Sequence, residues 1–193
     1  MIRCYITDRH SLTDESLLNA IARSLRNGVT WIQIREKDLS ARELFDLVAA
    51  ARRLPNPHGT KFIVNTRTDV ALAAGADGVH FPSGSPEPRR WRGIVPAGFL
   101  LGASCHTLEE LAAAESEGAT YAVYGPIFAP LSKVSALTPV GLSGLGAASR
   151  QVSIPVLALG GVTRENADSC IAAGAQGVAG ISFYQSEPRP DKL

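Results

Sequence analysis

The sequence has few of the features that mark membrane, secreted or nucleic-acid-binding proteins. Its 19 Lys and Arg against 18 Asp and Glu leave a net charge of +1, so no basic surface for nucleic acid is expected. The longest mostly apolar stretch, residues 94–103, contains a proline and is about half a bilayer span. The N-terminal residues lack the apolar segment of a signal peptide. Three widely spaced cysteines, Cys4, Cys105 and Cys170, predict reduced thiols in a cytoplasm.

The sequence does contain enough apolar side chain for a single core. Hydrophobic residues make up 45% of the chain, which suits one domain spanning residues 1–193. Short β-rich runs recur along the chain, and most are continuously apolar, as in parallel strands buried on both faces. The eight predicted strands are Arg3–Thr7, Trp31–Arg35, Lys61–Asn65, Gly78–Phe81, Leu100–Cys105, Tyr121–Tyr124, Pro155–Leu159 and Gly177–Ser182.

Amphipathic stretches between the strands predict helices. The clearest are Thr13–Arg26, Ala41–Arg53, Thr107–Glu117 and Arg164–Ala173. The pairs Ser40/Glu43 and Thr107/Glu110 fit a capping box, in which each residue's side chain bonds the other's backbone N–H. The pairs Thr13/Ser16 and Thr163/Asn166 also resemble helix starts.

Four glycines that lead directly into strands indicate an internal repeat. Gly28, Gly75, Gly118 and Gly174 precede strands 2, 4, 6 and 8, at spacings of 47, 43 and 56 residues. A glycine there supplies the left-handed residue that ends a helix. Near-even repetition favours a closed ring of β/α units, so the predicted fold is a compact (β/α)₈ barrel of the TIM type. An open doubly wound sheet is the alternative.

Two stretches depart from the regular unit. Few residues follow strand 8, and two of them are prolines, so a full closing helix is not expected. Strands 1 and 8 would then expose apolar surface, which predicts a homodimer or a groove covered by the tail. Residues 129–137, rich in Pro, Ser and Ala, predict a mobile loop over the site.

Polar residues at the carboxyl ends of the strands are the candidate site of a barrel. Gln33, Arg35 and Lys37 lie on one side of an extended strand, because side chains alternate. Two cations and an amide together suit a phosphate or pyrophosphate. The alternative is that the two cations pair with neighbouring carboxylates, which are those of Asp8, Glu36 and Asp38.

A second candidate anion site follows strand 7. Gly160 and Gly161, followed by a predicted helix, would offer bare backbone N–H groups at a helix N-terminus. A tight turn that needs glycine only for its backbone angle is the alternative. The glycine-rich run at residues 141–146 has no strand directly before it, so it predicts a helix start and not a dinucleotide site.

The histidines and cysteines give no metal or nucleophile signature. No two of the four histidines have zinc spacing, and no cysteine completes a ligand set. Cys105 and His106 are neighbours on a strand and point to opposite faces, so they form no dyad. A buried, inert thiol is expected for Cys105. We therefore predict no metal ligands, and catalytic residues stay unassigned.

Five motifs stand in a fixed order along nearly the whole chain. They are Tyr5-Ile6-Thr7-Asp8, Gln33-Ile34-Arg35-Glu36-Lys37-Asp38, Gly75-Ala76-Asp77-Gly78-Val79-His80, Tyr124-Gly125-Pro126-Ile127-Phe128 with Lys133, and Ala158-Leu159-Gly160-Gly161-Val162. In this order they resemble the thiamine phosphate synthase and thiazole tautomerase superfamily, whose members fold as (β/α)₈ barrels. In the synthase a pyrimidine pyrophosphate ionises, and the nitrogen of thiazole phosphate captures the resulting cation.

The resemblance implies roles for individual residues. The positions that match those holding the pyrimidine and its pyrophosphate are Gln33, Arg35, Lys37, Asn65, Ser104 and Lys133. The positions that match those holding the thiazole phosphate are Gly160, Gly161 and Ser182. A synthase would also use Mg²⁺.

The chain departs from both catalytic patterns of the superfamily. Thr66 and Ser85 stand where the synthase has two aspartates, and neutral hydroxyls are poor ligands for Mg²⁺. Pro130 and Ser132 replace two threonines before Lys133. The tautomerase moves a ring proton with a histidine, and this chain has Pro126 at that position.

The sequence therefore predicts a cytoplasmic thiamine-biosynthesis protein that binds thiazole phosphate. Three activities stay open. The first is synthase coupling of thiazole phosphate to pyrimidine pyrophosphate. The second is a tautomerase whose acid or base is Cys105, His106 or His10. The third is a non-catalytic regulator that binds thiazole or thiamine phosphate.

Overall fold

The computed structural model describes residues 1–129 and 138–185. Eight parallel strands pair in chain order, and β8 pairs with β1, so the sheet closes on itself. This confirms the predicted (β/α)₈ barrel. The strands are β1 (Ile2–Ile6), β2 (Trp31–Ile34), β3 (Lys61–Asn65), β4 (Gly78–Phe81), β5 (Leu100–Cys105), β6 (Tyr121–Tyr124), β7 (Val156–Ala158) and β8 (Gly177–Gly180).

Seven α-helices lie in the described part of the chain. They are α1 (Leu17–Arg26), α2 (Ala41–Arg52), α3 (Thr68–Ala73), α4 (Leu108–Ser116), α5 (Gly141–Gln151), α6 (Ala167–Ala172) and α7 (Ser182–Gln185). Two short 3₁₀ turns, Arg9–Ser11 and Pro88–Trp91, complete the elements. The second of these is the only helical turn between β4 and β5 in the described chain. None of the described helices is long and apolar enough to cross a membrane.

Alternate residues of each strand point into the barrel, and the others point to the helices. The interior cluster includes Cys4, Trp31, Ile63 and Tyr121. The rings of Trp31 and Tyr121 pack with their centroids 4.7 Å apart. A Cβ on Gly102 would lie 2.1 Å from the Tyr121 ring, so only glycine leaves room for this aromatic pair.

The predicted helix starts are partly confirmed. Ser40 and Glu43 form the full capping box at the start of α2. Thr107 caps α4 by accepting a hydrogen bond from the Glu110 N–H. The Glu110 carboxylate binds the N–H of His106 instead of that of Thr107, so the second predicted box is only half formed.

Two helices begin later than the sequence predicts. The α1 helix starts at Leu17, because Ser16 and not Thr13 caps it by accepting from the Asn19 N–H. The α6 helix starts at Ala167 and not at Arg164. The side chain of Asn166 accepts from the Thr163 N–H at 2.8 Å and holds the preceding residues in a turn.

The helix-ending glycines are confirmed. Gly28, Gly75, Gly118 and Gly174 have φ values of +67°, +69°, +86° and +109°, which is the left-handed region that ends a helix. The glycine-rich run at residues 141–146 lies in the first turns of α5, as predicted.

Of the two outcomes predicted for the apolar surface beside strands 1 and 8, the described residues show the second, in which residues after β8 cover it. Tyr184 of α7 is fully buried, and its ring centroid lies 5.9 Å from that of Tyr5 on β1. The large apolar side chains that are exposed in the described chain are Met1, Ile94 and Leu142. Within residues 1–185 the element that follows β8 is therefore a single helical turn that covers β1.

Candidate functional site

A chain of hydrogen bonds crosses the barrel mouth where β2 and β3 end. The Nε2 group of Gln33 donates to Oδ1 of Asn65 at 3.0 Å, and Nδ2 of Asn65 donates to the Thr66 hydroxyl at 2.7 Å. Gln33 is 2% exposed, and its Oε1 atom has no hydrogen-bond partner in the described structure. Because an unpaired buried carbonyl is unfavourable, this atom is suited to accept from a ligand.

Thr66 has a backbone conformation that β-branched residues rarely adopt. Its φ is +68°, and it is the one non-glycine residue of the described chain with a positive φ. Its N–H donates to the His80 carbonyl at 2.8 Å, which ties β3 to β4 at the mouth. Strain of this kind persists where the surrounding structure fixes it, and it is common at ligand sites.

Two cations predicted at the site have no side-chain partner among the described residues. Within residues 1–129 and 138–185, neither the Arg35 guanidinium nor the Lys37 ammonium makes an ion pair or a side-chain hydrogen bond. The backbone of Arg35 is fixed by a 3.0 Å bond from its N–H to the Thr7 hydroxyl. Lys37 lines a cleft of about 330 Å³, together with Asn65 and Thr66. Both cations are therefore free to bind an anion.

The alternative prediction, that Asp8, Glu36 and Asp38 pair with these cations, is wrong for the described residues. Arg9 binds the carboxylates of Glu36 and Asp38, and the Asp8 carboxylate accepts from the His10 N–H at 3.2 Å. Glu36 is buried and accepts from the Thr7 hydroxyl at 2.6 Å and from Nη1 of Arg9 at 3.0 Å. Asp38 also binds Arg9, and this contact holds the pKa of the Asp38 carboxyl well below its usual range. Sequence reasoning missed Arg9. Its position directly after Asp8, at the end of the neighbouring strand, was the available signal.

A second polar chain runs inside the barrel from β6 to β5. The Nδ1 atom of His80 lies 3.0 Å from the Tyr121 hydroxyl, and its Nε2 atom lies 2.8 Å from the Ser104 hydroxyl. Burial lowers the pKa of His80 to about 3, and the nearby charge of Arg35 acts in the same direction. His80 is therefore neutral at physiological pH.

The residues after β7 form a tight turn against the end of β6. Gly160 and Gly161 have φ values of +94° and +62°, and a Cβ on Gly161 would lie 2.5 Å from the Ala129 carbonyl oxygen. The prediction that the N–H groups of these glycines lie at a helix N-terminus is wrong, since α6 starts only at Ala167. Their N–H groups nevertheless donate no hydrogen bond within the described structure, so they are available to an anion.

The other predicted residues are placed as follows. Ser104 is half-buried on β5, and Ser182 is the exposed first residue of α7, beyond the end of β8. Lys133, Pro130 and Ser132 lie outside the described residues, as does most of the predicted loop at 129–137. The structure thus brings Gln33 to Asn65 and Ser104 to His80.

The described residues do not fit a magnesium ion. The Ser85 hydroxyl donates back to the Pro82 carbonyl at 2.7 Å, and the Thr66 hydroxyl is bound by Asn65. The Glu36 carboxylate is occupied by Thr7 and Arg9. In the part of the chain that the structure describes, no three His, Cys, Asp or Glu side chains are grouped to hold a metal.

The proposed acid–base residues of the tautomerase alternative are poorly placed. Cys105 is buried, which raises the pKa of its thiol to about 12, and the Glu110 charge adds to this. The His106 ring is bound through Nδ1 to the Gly125 carbonyl. His10 is exposed and lies 3.2 Å from Asp38.

The fold and the site together define a (β/α)₈-barrel protein with a candidate anion site at its mouth. Within the described residues, this site has two unpaired cations and free backbone N–H groups. The chain matches the profile of the family described as thiamine monophosphate synthase over residues 3–183. The chain belongs to the thiamine monophosphate synthase family.

Individual relatives and solved structures agree with this membership. A thiamine-phosphate synthase from Roseiflexus castenholzii is 41% identical over 186 residues, which is 96% of this chain and 82% of that protein. A thiamine-phosphate synthase from Chlorobium luteolum is 39% identical over 191 residues, which is 99% of this chain and 88% of that protein. The solved structure of a thiamine phosphate pyrophosphorylase from Pyrococcus furiosus superposes with a TM-score of 0.84 at 33% identity. The superposition covers 96% of this chain and 88% of the Pyrococcus furiosus chain.

Proposed function

We propose that this protein works in thiamine biosynthesis and couples a pyrimidine pyrophosphate to thiazole phosphate, which is the reaction that the resemblance to the synthase implies. Its relatives from Roseiflexus castenholzii and Chlorobium luteolum are named thiamine-phosphate synthase. The observation that carries the proposal is that Arg35, Lys37 and the Oε1 atom of Gln33, all at the end of β2, have no side-chain partner within the described residues. The cations suit the pyrophosphate, and the carbonyl suits an N–H of the pyrimidine. The free N–H groups of Gly160 and Gly161, with Ser182, suit the thiazole phosphate.

The chemistry separates into one bond that breaks and one that forms. The pyrimidine carbon loses its bond to the pyrophosphate oxygen, and pyrophosphate leaves with the electron pair. The thiazole nitrogen then donates its lone pair to the pyrimidine cation and forms the new carbon–nitrogen bond. Arg35, Lys37 and Lys133 would hold the charge that develops on the leaving group. We assign no step to a metal, because the described residues do not fit one.

The test is pyrophosphate release from pyrimidine pyrophosphate in the presence of thiazole phosphate. We expect thiamine phosphate and pyrophosphate in equal amounts, and Arg35→Ala should lower kcat/KM at least about tenfold by removing a charge-assisted contact. Arg42→Ala is the matched control, because Arg42 is an exposed arginine of α2 that pairs with Asp46. No product at high enzyme concentration would overturn the coupling proposal.

Two further measurements, thiazole absorbance and Tm, separate the alternative activities. A change in thiazole absorbance without any pyrimidine substrate would identify a tautomerase. A rise in Tm with thiazole phosphate or thiamine phosphate, with no turnover of any substrate, would identify a binding protein. The poor fit to Mg²⁺ is the observation that favours considering these two.

Two further properties belong to this proposal. We place the protein in a cytoplasm, which suits its three free and buried thiols. We also propose a homodimer, although the exposed apolar surface that first suggested one is absent from the described residues. Light scattering at several protein concentrations tests the dimer, and a monomer throughout would exclude it.

A further inference from the structure

We propose that His80 is a positioning residue that makes the Ser104 hydroxyl a hydrogen-bond donor toward the bound ligand. This inference rests on the proposed function for the identity of the ligand. The proton arrangement is a property of the free protein and is independent of the proposed function. The residues involved are His80 on β4, Ser104 on β5 and Tyr121 on β6.

The three side chains form one continuous chain. The Tyr121 hydroxyl lies 3.0 Å from Nδ1 of His80, and Nε2 of His80 lies 2.8 Å from the Ser104 hydroxyl. Tyr121 is fully buried, and His80 is 3% exposed. Ser104 is half-buried, so the chain leads from the barrel interior outward to the mouth.

The imidazole in this chain carries a single proton. Burial together with the charge of Arg35 keeps His80 neutral, so one ring nitrogen donates and the other accepts. Two arrangements are then available. In the first, Tyr121 donates to Nδ1, and the Nε2–H group donates to Ser104. In the second, Nδ1–H donates to Tyr121, and Ser104 donates to Nε2.

The surroundings of Tyr121 favour the first arrangement. In the second arrangement the Tyr121 proton would need another acceptor, and the described residues offer its hydroxyl no partner besides His80. A buried O–H group without an acceptor is unfavourable. In the first arrangement, the Tyr121 proton is accepted by Nδ1 of His80, and the His80 proton is accepted by the Ser104 oxygen.

The first arrangement fixes what Ser104 offers to a ligand. Its oxygen accepts from Nε2–H, so its own proton is free to be donated toward the mouth. The hydroxyl therefore recognises an acceptor atom, such as a phosphate oxygen or an unprotonated ring nitrogen. It complements Gln33, whose free Oε1 atom recognises a donor. The two groups together select a ligand with both kinds of atom.

The proton arrangement can be read directly from the ¹⁵N spectrum of the wild-type protein labelled at histidine. We expect the His80 proton on Nε2, with no change between pH 5.5 and 8. The His80 signals are identified by their loss in His80→Gln. A proton on Nδ1 would overturn the inference whether or not the protein binds any substrate.

Binding measurements test the consequence for the ligand. The probe is pyrimidine pyrophosphate titrated by calorimetry. His80→Met, which cannot donate to Ser104, and Ser104→Ala should each weaken binding about tenfold, and the double variant should be no weaker than either one. His80→Gln, whose amide can still donate, should stay within about threefold. His58→Gln, at an exposed histidine remote from the mouth, is the matched control.

The outcomes separate the two proposals. Additive losses in the double variant would show that His80 does not act through Ser104, and would overturn the inference. Absence of pyrimidine pyrophosphate binding in the wild type, with the proton on Nε2, would overturn the proposed function and leave the arrangement of protons established. Urea unfolding of each variant shows whether a loss of binding reflects a loss of fold.

Discussion

Thr66 is the residue whose conformation is most at odds with its chemical type. A β-branched side chain at φ +68° is strained, whereas asparagine tolerates this region and can still accept from Asn65. We expect Thr66→Asn to raise the free energy of unfolding by about 1 kcal/mol. Urea unfolding checks this. Thr66→Val keeps the branched carbon and loses only the hydroxyl, so it should not stabilise. A gain in Thr66→Val equal to that in Thr66→Asn would contradict the strain argument.

Substitution of Thr66 together with Ser85 tests why the site does not fit Mg²⁺. If two hydroxyls in place of two carboxylates abolish the metal site, wild-type pyrophosphate affinity should change less than about threefold on adding Mg²⁺. The double variant Thr66→Asp, Ser85→Asp should bind pyrophosphate weakly in EDTA and at least tenfold more tightly with Mg²⁺, because carboxylates repel the anion until a cation joins them. Calorimetric titration measures both. Strong magnesium dependence in the wild type would show that other groups hold the ion.

The lowered pKa of His80 makes the free energy of unfolding depend on pH. The pKa of His80 is lowered to about 3 in the folded protein, so only the unfolded chain takes up this proton between pH 6.5 and 3. Stability therefore falls as the pH falls through this range. Between pH 7.5 and 5, the wild type should lose about 2 kcal/mol more than His80→Gln does. Urea unfolding at the two pH values measures the difference, and equal losses in the two proteins would refute it.

The turn after β7 requires glycine at position 161, because a side chain there would not fit. Gly161 combines a φ of +62° with a close approach to the Ala129 carbonyl oxygen. Gly161→Ala should lower the free energy of unfolding by about 2 kcal/mol or more and weaken binding of thiazole phosphate. Gly93→Ala is the control, since a Cβ there has no neighbour within 4 Å. Equal stability of the two variants would contradict the packing argument.

The strands were predictable because burial on both faces leaves a continuous apolar run. Lys61–Asn65, Gly78–Phe81, Leu100–Cys105 and Tyr121–Tyr124 are strands with the predicted bounds. Helix starts were less predictable, since several side chains compete for the same N–H groups. Asn166 binds the N–H of Thr163 as expected, yet α6 begins only at Ala167. Glu110 binds the N–H of His106 and not that of Thr107, and the sequence does not show which partner it will choose.

At the candidate site, the sequence shows the types of side chain and not their partners. That Gln33, Arg35 and Lys37 lie at the mouth followed from strand alternation, and their roles as ligand contacts stay predictions. The selection of Arg9 by Glu36 and Asp38 depends on the register of β1 against β2, which pairs Ile6 with Gln33. The buried contact of His80 with Tyr121 likewise needs the closed barrel, because 41 residues separate the two along the chain.

For the whole molecule, closure explains why a chain of this length has a well-packed interior. Each strand has two hydrogen-bonded neighbours, so the described sheet has no free edge. In the interior, the Tyr121 ring contacts both Trp31 and His80, and the polar residues of the candidate site lie at the carboxyl ends of the strands. The fold thus separates the packed half of the barrel from the polar half.

The connection between β4 and β5, which contains a 3₁₀ turn and no α-helix, has a practical consequence for anyone who wishes to attach a reporter to this protein. The Pro88–Trp91 turn is anchored by stacking of Trp91 on Phe81, and the exposed Gly93 follows it near the amino end of β5, opposite the mouth. Exposed loop positions of this kind accept inserted sequence well. A fluorescent or affinity module spliced in at Gly93 would stand on the far side of the barrel and leave ligand entry clear.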